Sequence, residues 1–341
     1  MTQDATIDLY FVGCGGFARR YHVPALDDQP NVVLKGICDP TPSAETLELA
    51  ERHGATVVET IEALPAASGL GAAICSSPHT LHIYHAMQLL ERGYHTMVDK
   101  PFVMTAVDAK LLSRKADEKQ LANAVAFTRR FDRACLRARE IITTGGIGQV
   151  CFVQSIQLGY ERAGWFLQPE LGGGGPFTGR GAHIADLVPW LLDARPSRLR
   201  SRVRGGSKAR SDTGGFIELQ FDELECHMTC IEEGLHMWDE VRIFGDTGFI
   251  EMRRPLDVPI GWTLEWTTER GARSECSTAD PHPGDATRNF FAAVRGKEPV
   301  ACTFSDATLS VEIIEGAFNS AREGGSWISL PDAEPPSLVS G

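Results

Sequence analysis

The rhythm of apolar and polar positions changes once along this chain, near its middle. Ile7 to Val12 is a compact apolar run of β character that ends at Gly13, and Phe17 to Leu26 follows with helical spacing. A strand, a glycine turn and a helix form the opening unit of a parallel sheet. Val32 to Cys38 predicts a second strand ending at Asp39, and Ser43 to His53 a helix with acidic and alanine-rich character. Thr56 to Val58, Ala72 to Ser76 and His95 to Val98 predict further strands, with a helix over His79 to Arg92. Ala124 to Phe127 reads as one more short strand, followed by an Arg-rich helix through Thr143 that Gly145 and Gly146 terminate. These units predict a doubly wound α/β domain over residues 1–125.

From Gln149 onward the strands alternate apolar and polar residues, as in Val150 to Leu158, Phe216 to Phe221, Glu225 to Ile231 and Glu240 to Phe244. That alternation belongs to an antiparallel sheet with one wet face. Gly172 to Gly175 interrupts it, and a helix carrying Ile184, Leu187, Val188 and Leu191 comes next. Residues 126–330 are therefore expected to be an α+β domain on an open, mostly antiparallel sheet. Two late helices, Gly284 to Arg295 and Asp306 to Arg322, are expected to pack back on the first domain, and 331–341 to form a flexible tail.

Composition narrows the function. With 341 residues and 43% hydrophobic content the chain can bury ordinary cores, and a net charge of -12 leaves no electrostatic footprint for nucleic acid. No apolar stretch is long enough for a membrane span, and the N-terminus lacks the basic and apolar regions of a signal peptide, so a cytoplasmic location is expected. The nine cysteines have no paired CxxC spacing. Cys226 and Cys230 fall on one strand face and His227 on the other, so no metal centre is expected.

Gly13-Cys14-Gly15-Gly16-Phe17-Ala18 fits G-x-G-x-x-A between a strand and a helix. Gly13 permits the tight turn, Gly15 and Gly16 let backbone approach a pyrophosphate, Phe17 opens the helix, and Ala18 lets helix and strand pack closely. Asp39, at the end of the second strand, is placed to accept hydrogen bonds from the ribose hydroxyls, which favours NAD. Its charge repels the 2'-phosphate of NADP, the less favoured cofactor, although Arg19 or Arg20 could bend round to assist it.

By these motifs and those that follow, the chain resembles the Gfo/Idh/MocA oxidoreductases, the family of glucose-fructose oxidoreductase and inositol dehydrogenase, over nearly its full length. Tyr21-His22-Val23-Pro24-Ala25-Leu26 follows the fingerprint, and Ser77-Pro78-His79-Thr80-Leu81-His82 is similar to the family's P-x-x-x-H turn after the fourth strand. Asp99-Lys100-Pro101 is similar to its Glu-Lys-Pro signature, with the acid one carbon shorter. Phe127-Thr128-Arg129-Arg130-Phe131 matches the opening of the interdomain helix. Gly173 to Gly175, with Gly181, His183 and Asp186, corresponds to G-G-G-x-x-x-D-x-G-x-H-x-x-D.

The resemblance implies an NAD(P)-linked oxidation or reduction at a secondary hydroxyl of a sugar, cyclitol or related polyol. Ser76, Ser77, Pro78, His82, Asp99 and Lys100 join the fingerprint and Asp39 as expected cofactor-side residues. Lys100 is the first catalytic candidate, an ammonium at a strand end that can hydrogen-bond the reacting oxygen. By resemblance, the peptide bond to Pro101 is often cis and His183 exchanges a proton with the substrate hydroxyl, a task suited to an imidazole. Asp186 lies on the same helical face as His183 and either orients it or pairs elsewhere.

One position departs from the family: Gly179 stands where members carry an aspartate. Three readings stay open. Lys100, with a tyrosine such as Tyr160, carries the proton transfer; or the pocket is enlarged, with Arg180 facing a carboxylate or phosphate; or turnover is lost and the chain is a non-catalytic NAD(P)-binding sensor. Tyr160, Glu161, Arg162 and Trp165 are the remaining candidate substrate contacts, and the open sheet face predicts a homodimer or homotetramer.

Overall fold

Six parallel strands form the first sheet, in the order β3-β2-β1-β4-β5-β6. They are β1 Ile7–Val12, β2 Val32–Cys38, β3 Thr56–Val58, β4 Leu70–Cys75, β5 His95–Val98 and β6 Asn123–Val125. The order reverses between β1 and β4, whose C-terminal ends open the crevice where a doubly wound sheet holds its ligand. Between them run α1 Gly16–Tyr21, α2 Pro24–Asp27, α3 Ala44–His53, α4 His82–Glu91 and α5 Ala106–Glu118. The single helix expected over Phe17 to Leu26 is broken at His22 and Val23, because Pro24 has no amide to continue the ladder and opens α2 instead. This computed structural model describes residues 5–160, 164–207, 210–232, 236–255, 261–269, 271–276 and 284–331.

Helix α6 Arg133–Thr143, capped by the Asp132 carboxylate on the Ala134 amide at 2.8 Å, leads into a sheet of nine strands. These are β7 Val150–Leu158, β8 Arg198–Ser207, β9 Arg210–Phe221, β10 Leu224–Ile231, β11 Trp238–Gly245, β12 Phe249–Pro255, β13 Thr263–Thr268, β14 Gly271–Cys276 and β15 Ile328–Ser329. Their order is β14-β13-β12-β11-β7-β10-β9-β8-β15, antiparallel throughout except for the parallel pair β7 and β10. The remaining helices are α7 Pro169–Gly172, α8 Ala182–Leu192, α9 Asp285–Val294 and α10 Phe304–Arg322.

Strand periodicity decides the packing. Ile7, Leu9 and Phe11 of β1 share a core with Phe290 and Phe291 of α9. Tyr10 and Val12, pointing the other way, share one with Leu89 of α4, Leu112 of α5 and Phe304 and Val311 of α10. Each fully buried phenylalanine here contributes about 1.5–3 kcal/mol relative to exposure. The second sheet buries one face under α6, α8 and α10. Its other face presents Phe216, Phe244 and Phe249 to solvent. Cys226 and Cys230 point to the core and His227 to the open face. Glu218, Glu225 and His227 bring ligand atoms within 4.8 Å of one another there, but Arg200 holds both oxygens of Glu218, at 2.8 and 3.0 Å. Among the described residues no helix is long and apolar enough to cross a membrane.

Candidate active site

The turn after β1 is built by what each glycine must avoid. Gly13 has φ +77, and a Cβ there would lie 2.7 Å from the Ser76 carbonyl oxygen, so only glycine lets β1 and β4 close up. A Cβ on Gly15 or Gly16 would meet nothing within 4 Å. The chain's own packing therefore does not require glycine at either place, and the open space beside them suits a pyrophosphate cradle. Ala18 is fully buried against the sheet. Asp39 leaves β2 with its carboxylate held at one oxygen by the Thr41 amide (3.0 Å) and at the other by the Cys14 amide (3.3 Å), beside the glycine turn. Arg19 is tied to the Cys14 carbonyl at 2.8 Å and to Ser43 and Thr46 at 3.1 Å. The Cys14 thiol is buried and pushed up to about 11, chiefly by burial, so it is no nucleophile.

The turns after β4 and β5 hold the next group, and here two expected cofactor contacts face inward. Asp99 is buried, with His22 Nε2 2.7 Å from one oxygen and the Ser76 hydroxyl donating to the other. His82 is also buried: its Nδ1 faces the carbonyls of Pro101 (2.9 Å) and Phe102 (3.1 Å), and its Nε2 faces that of Ser77 (2.9 Å). Burial depresses the imidazole against the opposing pull of Asp99 and these carbonyls. Both residues tie the β4 and β5 turns together rather than line the crevice. Ser77 is likewise buried, with its hydroxyl 2.8 Å from His85 Nδ1. Pro78 leads into a single 3-10 turn, His79–Leu81.

Lys100 follows Asp99, and its peptide bond to Pro101 is cis. Its ammonium lies 5.3 Å from the centre of the Phe17 ring and 3.4 Å from the Gly179 carbonyl oxygen, to which it donates. Gly179 sits in a wide π turn, Phe177–Gly181, that runs directly into α8, where His183 occupies the first turn, half-buried, its ring 6.4 Å from that of Phe127. Lys100 thus meets Phe17 of the fingerprint helix and the turn that leads into the His183 helix. Where the family aspartate is missing, the backbone carbonyl of the same residue receives the lysine.

The substrate candidates divide. Tyr160, just past β7, is 45% exposed. Trp165 is half-buried, stacked on Phe166 at 3.8 Å and edge-on to His79 at 4.9 Å, a packing role. Arg180 does not reach outward for an acid: its Nε donates to Glu232 at 2.8 Å, and its guanidinium covers Gly159, whose Cβ would lie 2.3 Å from Cζ. Asp186 does not orient His183 but takes Arg130 at both oxygens, at 2.6 and 3.0 Å, in the protein interior. Burial raises its carboxyl, Arg130 opposing. Glu161 and Arg162 lie outside the described residues. His22 and Thr287 are joined at 2.7 Å behind Asp99; by resemblance the sequence sets His22, closing the fingerprint helix, close to the cofactor crevice as a residue that shapes it, and gives no sign of Thr287.

Two family descriptions match: "Oxidoreductase family, NAD-binding Rossmann fold" over residues 7–127, and "GFO/IDH/MocA C-terminal domain" over residues 135–251. The rhizopine catabolism protein MocA of Rhizobium meliloti is 25% identical over 91% of this chain and 93% of its own length. D-glucoside 3-dehydrogenase of Escherichia coli is 29% identical over 53% of this chain, a match that spans about half, 52%, of that enzyme. Among solved structures, levoglucosan dehydrogenase in complex with NADH and L-sorbose superposes with a TM-score of 0.83 at 17% identity, covering 96% of this chain and 99% of that one. GenD2 from gentamicin A biosynthesis, in complex with NAD, gives 0.80 at 22% identity, covering 96% and 97%. With both halves matched and the glycine turn built for a dinucleotide, the chain belongs to the Gfo/Idh/MocA family of NAD-binding oxidoreductases.

Proposed function

We propose that this enzyme moves a hydride between NAD and a secondary carbinol of a small polyhydroxylated compound, a sugar or cyclitol, with Lys100 and His183 at the reacting oxygen. The observation that carries the reading is the convergence of Lys100, Phe17 and the Gly179 turn beside the fingerprint. Bound NAD supplies a nicotinamide C4 that accepts the hydride in oxidation and returns it in reduction. Lys100, anchored by the Gly179 carbonyl, presents its ammonium to the substrate oxygen and stabilises charge there as the C–H bond breaks. His183 takes the hydroxyl proton in oxidation and returns one in reduction. Tyr160 stands at the rim to pack on a ring face. Gly13, Gly15 and Gly16 receive the pyrophosphate and Asp39 the ribose, which favours NAD, since Asp39 repels a 2'-phosphate and Arg19 is held on the Cys14 carbonyl. Residues 1–125 then serve the cofactor and 126–330 the substrate.

The exposed phenylalanines of the second sheet support a homodimer or homotetramer built on that face. A cytoplasmic location fits the cysteines whose side chains are described, all free and all buried except Cys151. The test is NADH formation at 340 nm across sugars, sugar acids, aminosugars and inositols, run beside Lys100→Ala with NADH affinity measured by fluorescence. Turnover lost with affinity retained is the expected result. Full turnover in Lys100→Ala overturns the assignment, and tight nucleotide binding with no turnover on any substrate favours a binding-only protein.

A further inference from the structure

Behind Lys100, side chains from four separate elements form a buried polar chain. Thr287 of α9 has its hydroxyl 2.7 Å from His22 Nδ1; His22 Nε2 is 2.7 Å from Asp99; and the Ser76 hydroxyl completes the carboxylate. Thr287 is 0% and His22 1% exposed. With a neutral imidazole the pattern closes in one way: Thr287 donates to Nδ1, Nε2–H donates to Asp99, and Ser76 donates to the second oxygen. Every hydrogen points toward the carboxylate. A buried polar chain is often no more stable than apolar side chains of the same volume, so stability alone does not account for its place. It ends on the residue whose peptide bond leads into Lys100.

We propose that His22 is a positioning residue for hydride transfer: braced by Thr287, it clamps Asp99 and so fixes the turn that presents Lys100 to the reacting oxygen. This rests on the assignment of Lys100 given above. The groups facing Asp99 are His22 from the end of α1, the Cys75 thiol at the end of β4, Ser76 just past it and His82 from α4, with Lys100 the next residue in the chain. Burial raises the Asp99 carboxyl, but the contacts from His22 and Ser76 outweigh it and leave the group below its ordinary value. His22 and Ser76 thus favour the Asp99 anion, and losing either donor pushes its carboxyl upward.

The test reads Lys100 directly, without a substrate. The rate at which trinitrobenzenesulfonate modifies Lys100 in the full-length protein is followed by peptide mass spectrometry across pH, with the melting temperature recorded for each variant. His22→Leu is expected to change the rate about 5-fold or more and to move its pH dependence by about one unit, as the carboxylate loses its donor. Thr287→Val, which deletes one hydroxyl at constant shape, should do the same to a smaller extent and serves if His22→Leu fails to fold. His22→Gln, which keeps an N–H for Asp99, and Thr287→Ser should both stay near wild type. Lower melting temperatures in His22→Leu or Thr287→Val, with unchanged labelling and pH dependence, reduce the chain to structural packing and overturn the proposal. Undiminished turnover in Lys100→Ala would instead strike at the role of Lys100, a separate outcome.

Discussion

Replacing Asp186 by asparagine separates two roles that share one helix face. The carboxylate is 2% and the Arg130 side chain 9% exposed, and they meet at 2.6 and 3.0 Å. Asparagine keeps one acceptor but turns an amide donor toward the guanidinium and leaves its charge uncompensated. Breaking a buried ion pair from one side costs about 3–5 kcal/mol. Arg130 retains the Ala301 carbonyl at 2.8 Å and the Trp190 ring at 5.9 Å, which places this case at the low end, about 3 kcal/mol. At about 2–4 °C per kcal/mol for a protein of this size, the melting temperature should fall by about 6–12 °C. Removing both charges, in Arg130→Met with Asp186→Leu, should recover most of that loss. Because both oxygens of Asp186 are engaged by Arg130, the pH profile of kcat below the melting range should not move in Asp186→Asn. Scanning fluorimetry and steady-state kinetics read the two quantities. A melting shift under about 2 °C together with a displaced pH profile would show that the imidazole, not Arg130, is the main partner, and the reasoning fails.

Burial holds His82, His85 and His95 below the ordinary imidazole value, so the unfolded chain binds more protons once pH drops below about 6.5. Urea midpoints should therefore decline from pH 7 toward pH 5, only partly opposed by the raised carboxyls of Asp186 and of Asp212, which burial pushes up to about 6; a flat or rising midpoint contradicts this. Asp39→Ser should raise the preference for NADP over NAD about tenfold or more by removing one unit of like charge beside the 2'-position, measured as a ratio of kcat/KM values. Gly13→Ala, with φ +77 and the Ser76 carbonyl in the way, should abolish NADH binding, and titration with wild-type affinity would refute the turn's role. Phe216→Glu on the open sheet face should shift the sedimentation profile toward monomer without loss of helix content.

What was legible before the structure was known tracks locality. Strands β1, β2, β3 and β5 end where the apolar runs end, because a buried parallel strand is bounded by turn residues and little else. Strand β8 gave no such signal: Arg198, Arg200, Arg202 and Arg204 alternate with its inward residues and disguise it as a polar stretch. Helix α5 buries only Ala109, Leu112 and Ala116, too narrow a stripe to mark it in the sequence. Lys100 and His183 could be named because their neighbours in sequence carry the pattern. Asp186 could not be placed, because a three-residue spacing from His183 says only that the two share a face, while its partner Arg130 stands 56 positions earlier. The bond from His22 to Thr287 spans 265 positions, and nothing local to either residue names the other.

The first sheet is closed on its two faces by helices from the end of the chain, Phe290 and Phe291 on one side and Phe304 and Val311 on the other. During synthesis the nucleotide-binding half therefore leaves the ribosome with both layers of its core incomplete and must wait for more than 150 further residues to be made. Until then the core around Leu9, Phe11 and Ile74 lacks its layer of Phe290 and Phe291. The same geometry predicts that residues 5–127 expressed alone form an insoluble fragment, and that joining α9 and α10 to that fragment through a short linker restores a soluble, NADH-binding unit.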